Sequence, residues 1–234
     1  MTKHHVNFFA LSGKCFWSCL ECHLPTPLDQ KSILRTITLS GRHALNIFSH
    51  TTLELATLTP IRQAIKQHRQ RLAFFYQGKV LSQLLAQNPD LLLFPFFSLE
   101  AKQHDSFCGS TSFYQQISDM NHLPKTIKRR VVFFLGKDNF SEGTDLDTFA
   151  YSNNTLVWII PYSLFSPHDF DIEDYLYLKR LTRYKTLFIH PLHLEFIKKE
   201  IEHKNCCYLL RADLTPASLL QSIETHWFYY RLFG

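Results

Sequence analysis

Short, continuously apolar runs recur along this chain, and helical patterns separate them. The runs cover residues 6–11, 33–39, 72–76, 91–99, 131–135, 156–160, 186–189 and 206–210. They do not alternate between apolar and polar positions. Strands of that kind are buried on both faces, as in parallel sheets. Between them, Thr59 before Pro60 reads as a helix cap followed by a first-turn proline. Ile61, Ala64, Ile65 and His68 then share one helical face. Further helices are expected over 81–85, 112–123, 171–184 and 193–204. Thr215-Pro216 repeats the cap signature before a last helix carrying Leu219, Leu220, Ile223 and Trp227. Alternating strand and helix predicts an α/β fold with mostly parallel strands, either an open doubly wound sheet or a full or partial (β/α) barrel. Both architectures place functional loops at the C-terminal ends of the strands.

The 234 residues fit one domain spanning 1–234, with no linker or repeat to divide it. The net charge of +5 is mild, and nucleic acid is not indicated as a partner. The basic run Lys125, Lys128, Arg129 and Arg130 is expected on a solvated loop. No apolar stretch approaches a membrane span and no signal peptide is visible, so a cytoplasmic location is expected. Walker, G-x-S-x-G and G-x-G-x-x-G motifs are absent, which argues against triphosphatase, esterase and dinucleotide chemistry.

Chemistry concentrates in the run Cys15-Phe16-Trp17-Ser18-Cys19-Leu20-Glu21-Cys22, directly after the first apolar run. The spacing is C-x3-C-x2-C. Clustered thiols in a chain without a disulfide framework point to a metal site in a reducing compartment. Three thiolates can grip one metal centre but fall one ligand short of an all-cysteine site, which leaves a position open for chemistry. A structural zinc site completed by His23 or His43 is the plainer alternative. Cys108 reads as a packed thiol, and Cys206-Cys207 as core residues of a late strand. His104 and Asp105 read as helix-start residues.

In order and spacing, these pieces resemble the radical S-adenosylmethionine (radical SAM) superfamily. In that family the cysteine motif follows the first barrel strand. A second strand then ends in a Gly-Gly-Glu motif; here the run is Ile37-Thr38-Leu39-Ser40-Gly41-Arg42-His43-Ala44-Leu45. Phe75-Tyr76-Gln77-Gly78 is similar to the turn that ends the third strand. Ser98-Leu99-Glu100, His104-Asp105, Gly109 and Phe113 are similar to the motif that follows the fourth. The resemblance covers about 6–123, and the part from about 150 to 234 is less typical.

The resemblance implies a partial (β/α) barrel of the radical SAM type. Cys15, Cys19 and Cys22, on a loop over 12–24, would bind a [4Fe–4S] cluster. Gly41, Arg42, His43, Gln77 and Ser98 would bind S-adenosylmethionine (SAM). Electron transfer into the sulfonium would yield methionine and a 5′-deoxyadenosyl radical, which abstracts hydrogen from a substrate the sequence does not name. A flavodoxin or ferredoxin would be the electron donor. Arg42 and His43 stand where the family has glycine and glutamate, and Glu21 where it has an aromatic residue. These departures motivate an alternative: a non-catalytic metal- or cluster-binding barrel that acts as a binding partner.

Overall fold

The computed structural model describes residues 7–11, 30–31, 34–35, 45–49, 55–67, 71–161 and 170–203. Seven strands form one parallel sheet: β1 (Asn7–Leu11), β2 (Leu45–Ser49), β3 (Arg71–Phe75), β4 (Leu91–Phe96), β5 (Lys128–Leu135), β6 (Val157–Pro161) and β7 (Leu187–Ile189). Each strand pairs in parallel with its neighbour in sequence. This consecutive order decides between the two expected architectures. Right-handed crossovers that always step the same way leave every helix on one face, and the sheet curls into a barrel wall. A doubly wound sheet would reverse its order part-way.

The helices are α1 (Leu55–Gln67), α2 (Leu81–Ala86), α3 (Ala101–Cys108), α4 (Phe113–His122), α5 (Asp145–Ser152), α6 (Ile172–Leu181) and α7 (Pro191–His203). A 3-10 segment, Lys137–Thr144, joins β5 to α5. Side chains divide by strand phase, as a two-faced wall requires. Leu72, Phe74, Leu92, Phe94, Phe96, Val131, Phe133, Val157, Ile159, Leu187 and Ile189 pack outward against the helices. Ala73, Leu91, Leu93, Val132, Trp158, Ile160 and Phe188 fill the inner face. Each fully buried Phe or Leu contributes roughly 1.5–3 kcal/mol of transfer free energy.

Two expectations are corrected. The second strand is Leu45–Ser49, not 33–39, where Leu34 and Arg35 are helical. A parallel crossover needs room for a helix. A strand at 33–39 would have left the cysteine loop and its crossover only residues 12–32. A strand at 45 gives them residues 12–44. The other correction concerns α1, which starts at Leu55, so Pro60 lies inside it rather than in its first turn. The basic run also moves, since Lys128, Arg129 and Arg130 open β5 and Arg129 Nη1 donates to the Met120 carbonyl at 2.9 Å. The runs expected at 206–210 and after Pro216 lie outside the described residues.

Candidate functional site at the barrel mouth

Parallel strands bring their C-terminal ends to one mouth. β3 ends there in the turn at Gln77 and Gly78. Gly78 has φ +78°, a conformation that a side chain strains, and a Cβ on it would stand 3.0 Å from Ser112 Cβ. Gln77 is buried. β4 leads into Phe97, Ser98 and Leu99, and β5 leads into Gly136 and the 3-10 segment.

The ends of β4 and β5 are tied together by two side chains from that segment. Asn139 Nδ2 donates to the Phe97 carbonyl at 2.6 Å and to the Phe134 carbonyl at 2.8 Å. Its Oδ1 accepts from Gly136 N–H at 2.7 Å. Glu142 accepts from the Ser98 hydroxyl at 2.7 Å and from Leu99 N–H. Ser98 Oγ in turn accepts from Glu100 N–H at 2.9 Å. Ser98 is fully buried, so its hydroxyl serves the turn that starts α3.

Behind this clamp sits a polar hub. His104, on α3, is fully buried. Its Nδ1 accepts from Phe97 N–H at 3.2 Å, which puts the ring proton on Nε2. With the Gln116 amide oriented to complement it, Oε1 accepts from His104 Nε2 at 3.2 Å, and Nε2 of Gln116 donates to the carbonyls of Tyr76 at 3.0 Å and Pro95 at 3.2 Å. Burial pushes the imidazole down to about 4, against a smaller opposing pull from Asp105, so the ring is neutral at pH 7. Asp105 lies mid-helix on α3 and caps the next helix, accepting from Ser112 N–H at 2.8 Å and Phe113 N–H at 3.0 Å. Cys108 Sγ packs 3.6 Å from His104 Nε2 and is buried, as its sequence context suggests.

Above the clamp lies a cavity of about 570 Å³, lined among others by Phe97, Phe107 and Phe134, with Glu100, Lys102 and Asp138. The three rings form a stack. Phe97 lies 4.1 Å from Phe107 and 4.6 Å from Phe134, centroid to centroid, with interplanar angles of 24° and 12°. Lys137, beside Asp138, is committed to Asp174 and to Asp171 at 3.8 Å. The Asp174 hydrogen bond is the largest cause that holds its ammonium above the usual lysine range, with smaller upward pulls from both carboxylates.

Of the residues singled out from sequence, Gln77 and Ser98 stand at neighbouring strand ends, but neither lines this cavity. Cys15, Cys19, Cys22, Gly41, Arg42 and His43 lie outside the described residues. Residues 41–43 precede β2 in the sequence and residues 50–54 follow it. Among the described residues no group of three or more His, Cys, Asp and Glu is arranged to hold a metal. Asn139, Glu142 and the ring stack were not picked out from sequence, since their partners are far away along the chain. His190 and His193, with rings 5.6 Å apart at the end of β7, carried an H-x-x-H signal that was overlooked.

Comparison with solved structures then places the architecture. The chain superposes on SuiB from Streptococcus suis with a TM-score of 0.61 at 14% identity, covering 91% of this chain and 54% of that one. The fold is a partial (β/α) barrel of parallel strands, as the likeness to SuiB supports. SuiB bound to S-adenosylmethionine matches with a TM-score of 0.62 at 14% identity, over 84% of this chain and 53% of SuiB. SuiB bound to its precursor peptide SuiA matches at 0.61 and 14%, over 85% and 51%. This chain thus spans about half the length of SuiB. No family model matches the chain, and no curated protein matches it in sequence. No described helix is long and apolar enough to cross a membrane.

Proposed function

We propose that this chain is a divergent radical SAM protein, with a [4Fe–4S] cluster held by Cys15, Cys19 and Cys22 and SAM received at the barrel mouth. The observation that carries the reading is the order of the sheet. Seven consecutive parallel strands form a single mouth, and the cysteine motif follows β1 directly in the sequence. Cys15 comes so soon after Leu11 that an extended chain carries it no more than about 15 Å from the strand end. Three thiols suit iron, and an open fourth position suits an amino-acid chelate. The SAM-bound SuiB structure supports SAM as the ligand.

A bound cluster would supply the electron that cleaves the sulfonium of SAM. The chain's own residues would orient and enclose. Asn139 and Glu142 hold the ends of β4 and β5 in register, and the His104 hub holds β3 to β4. In this reading residues 50–54, which follow β2 in the sequence, would take the part the resemblance gave to Gly41, Arg42 and His43, namely contact with the SAM amino group. Gln77 and Ser98 would then shape the mouth from beneath rather than touch SAM. A flavodoxin or ferredoxin would be the reductant. SuiB's complex with its precursor peptide supports a substrate partner.

The non-catalytic alternative drew on Arg42 and His43. With β2 at Leu45–Ser49 those residues precede the strand in the sequence, and in this reading they do not argue against SAM. Protein purified and reconstituted without oxygen tests the proposal. The expected result is iron and sulfide in equal amounts, lost when Cys19→Ala is introduced, and formation of 5′-deoxyadenosine from SAM. Zinc without sulfide, or a cluster that neither binds nor cleaves SAM, overturns it.

A further inference from the structure

We propose that the outer face of α6 pairs with the same face of a second copy of this chain, antiparallel and about a two-fold axis beside Leu176. The inference goes beyond the radical SAM reading and does not depend on it.

The inner side of α6 is committed. Asp174, Leu178 and Leu181 are buried, and Asp171 caps the helix by accepting from Asp174 N–H at 2.9 Å. That anchoring fixes which side looks outward. There Ile172 is 53% exposed and Leu176 50%. They stand four residues apart, so they are neighbours on one stripe. Exposed apolar residues scattered singly need no explanation, and these two draw their meaning from the charges beside them.

Glu173 and Arg180 flank that pair, and both are exposed. They occupy the same flank of the helix two turns apart, about 10 Å along its axis, so they do not pair within one helix. Glu173 makes no ion pair with a described residue. Arg180 lies over the Tyr177 ring, 5.7 Å from its centroid, which holds it on the Glu173 flank. On antiparallel helices related by a two-fold axis, residues of one flank meet residues of the same flank in reversed order. Glu173 then meets the partner's Arg180, and the symmetry makes that contact twice. The two Leu176 side chains meet between them, and Ile172 lies against the alkyl stem of the partner's Lys179. A parallel pairing would set glutamate on glutamate and arginine on arginine. The charge pattern is thus complementary to its own reverse, and a second copy is the occupant it fits. One pair of helix faces is a small interface, so the dimer should form in the range of about 10–100 μM.

The test is sedimentation equilibrium of the full chain from about 1 to 200 μM. The mass should climb from the 27.5 kDa of one chain toward twice that value. A mass that stays at one chain overturns the proposal. Leu176→Lys sets two ammonium groups against each other at the axis and should weaken association at least about tenfold. Glu173→Arg and Arg180→Glu should each weaken it about as much. An equimolar mixture of those two variants should associate like the unaltered chain, because opposite charges meet again at both ends. Unchanged association of Leu176→Lys, or a mixture no better than its components, places the contact elsewhere and overturns the proposal. Leu176→Cys asks what covers the face. Its alkylation, read by peptide mass, should be fast at about 1 μM and several-fold slower at about 200 μM. Slow alkylation at every concentration means that another part of this chain covers the face, which overturns the proposal. Equally fast alkylation throughout means that nothing covers it, and overturns it too. None of these readouts involves iron or SAM, so the dimer and the radical SAM reading stand or fall separately.

Discussion

Asn139 donates from one amide nitrogen to the carbonyl of Phe97, at 2.6 Å, and so joins the segment after β5 to the end of β4. The same nitrogen reaches Phe134 and the amide oxygen reaches Gly136, so one buried side chain satisfies three backbone groups. Asn139→Ala would leave all three without their partner. A hydrogen bond contributes about 0.5–1.5 kcal/mol net, so losing three predicts a loss of about 2–4 kcal/mol in urea unfolding. Asn139→Asp keeps the acceptor and removes the donor, and should lose nearly as much. A change below about 1 kcal/mol for the alanine variant would show that the clamp is not structural.

Gly78 makes a second prediction at the same rim. Its φ of +78° and the 3.0 Å approach of Ser112 Cβ leave no room for a methyl group. Gly78→Ala should cost about 1–3 kcal/mol from backbone strain and contact with Ser112 together. Adding Ser112→Gly should recover the contact part and leave the backbone part, which a double-mutant cycle measures. Full additivity of the two variants would sink the claim that they touch.

How far the sequence alone reached follows from range. Continuous apolar runs located β1, β3, β4, β5, β6 and β7 within a few residues, because burial on both faces leaves a local signature. β2 was missed. Ile33, Leu34, Ile37 and Leu39 look strand-like beside the threonines, while Leu45 stood at the end of the motif-like run and Ile47 and Phe48 were in no expected strand. Only the space a crossover needs reveals the better choice. The cavity was hidden for a different reason. Asn139, Glu142 and the three rings meet across more than one strand, and no local pattern encodes such a meeting.

The position of β2 has its own consequence for SAM. Arg42→Gly with His43→Glu restores the family residues at 42 and 43 but, in the segment that precedes β2 in the sequence, should leave SAM affinity within about twofold of the unaltered chain. Glu54→Ala, in the segment that follows β2 in the sequence, should weaken SAM about tenfold, the loss of one charge-assisted hydrogen bond. Calorimetric titration of reconstituted protein separates the two. Tighter binding by the double variant with no effect of Glu54→Ala would return the SAM contact to residues 41–43.

Buried imidazoles set the acid limit of the fold. Burial lowers His104 and His190 to about 4, and burial together with His190 lowers His193 to about 3. An unfolded histidine titrates near 6.5, so between that pH and about 4 the unfolded chain holds protons that the folded chain refuses. Folding stability contributed by these rings is complete above about pH 6.5 and drains away as the pH falls toward 4. For His104 the cause is concrete, because a second ring proton would have to displace the Phe97 N–H that Nδ1 accepts. Urea unfolding at stepped pH should give constant stability from about pH 8 to 7 and a steady decline below 6.5. His104→Asn, whose side-chain oxygen can still accept from Phe97 N–H, should be less stable at pH 7.5 yet show a shallower decline. An unaltered chain whose stability is flat between pH 6.5 and 4.5 would mean that these rings are protonated as easily folded as unfolded, and the buried hub would have to be abandoned.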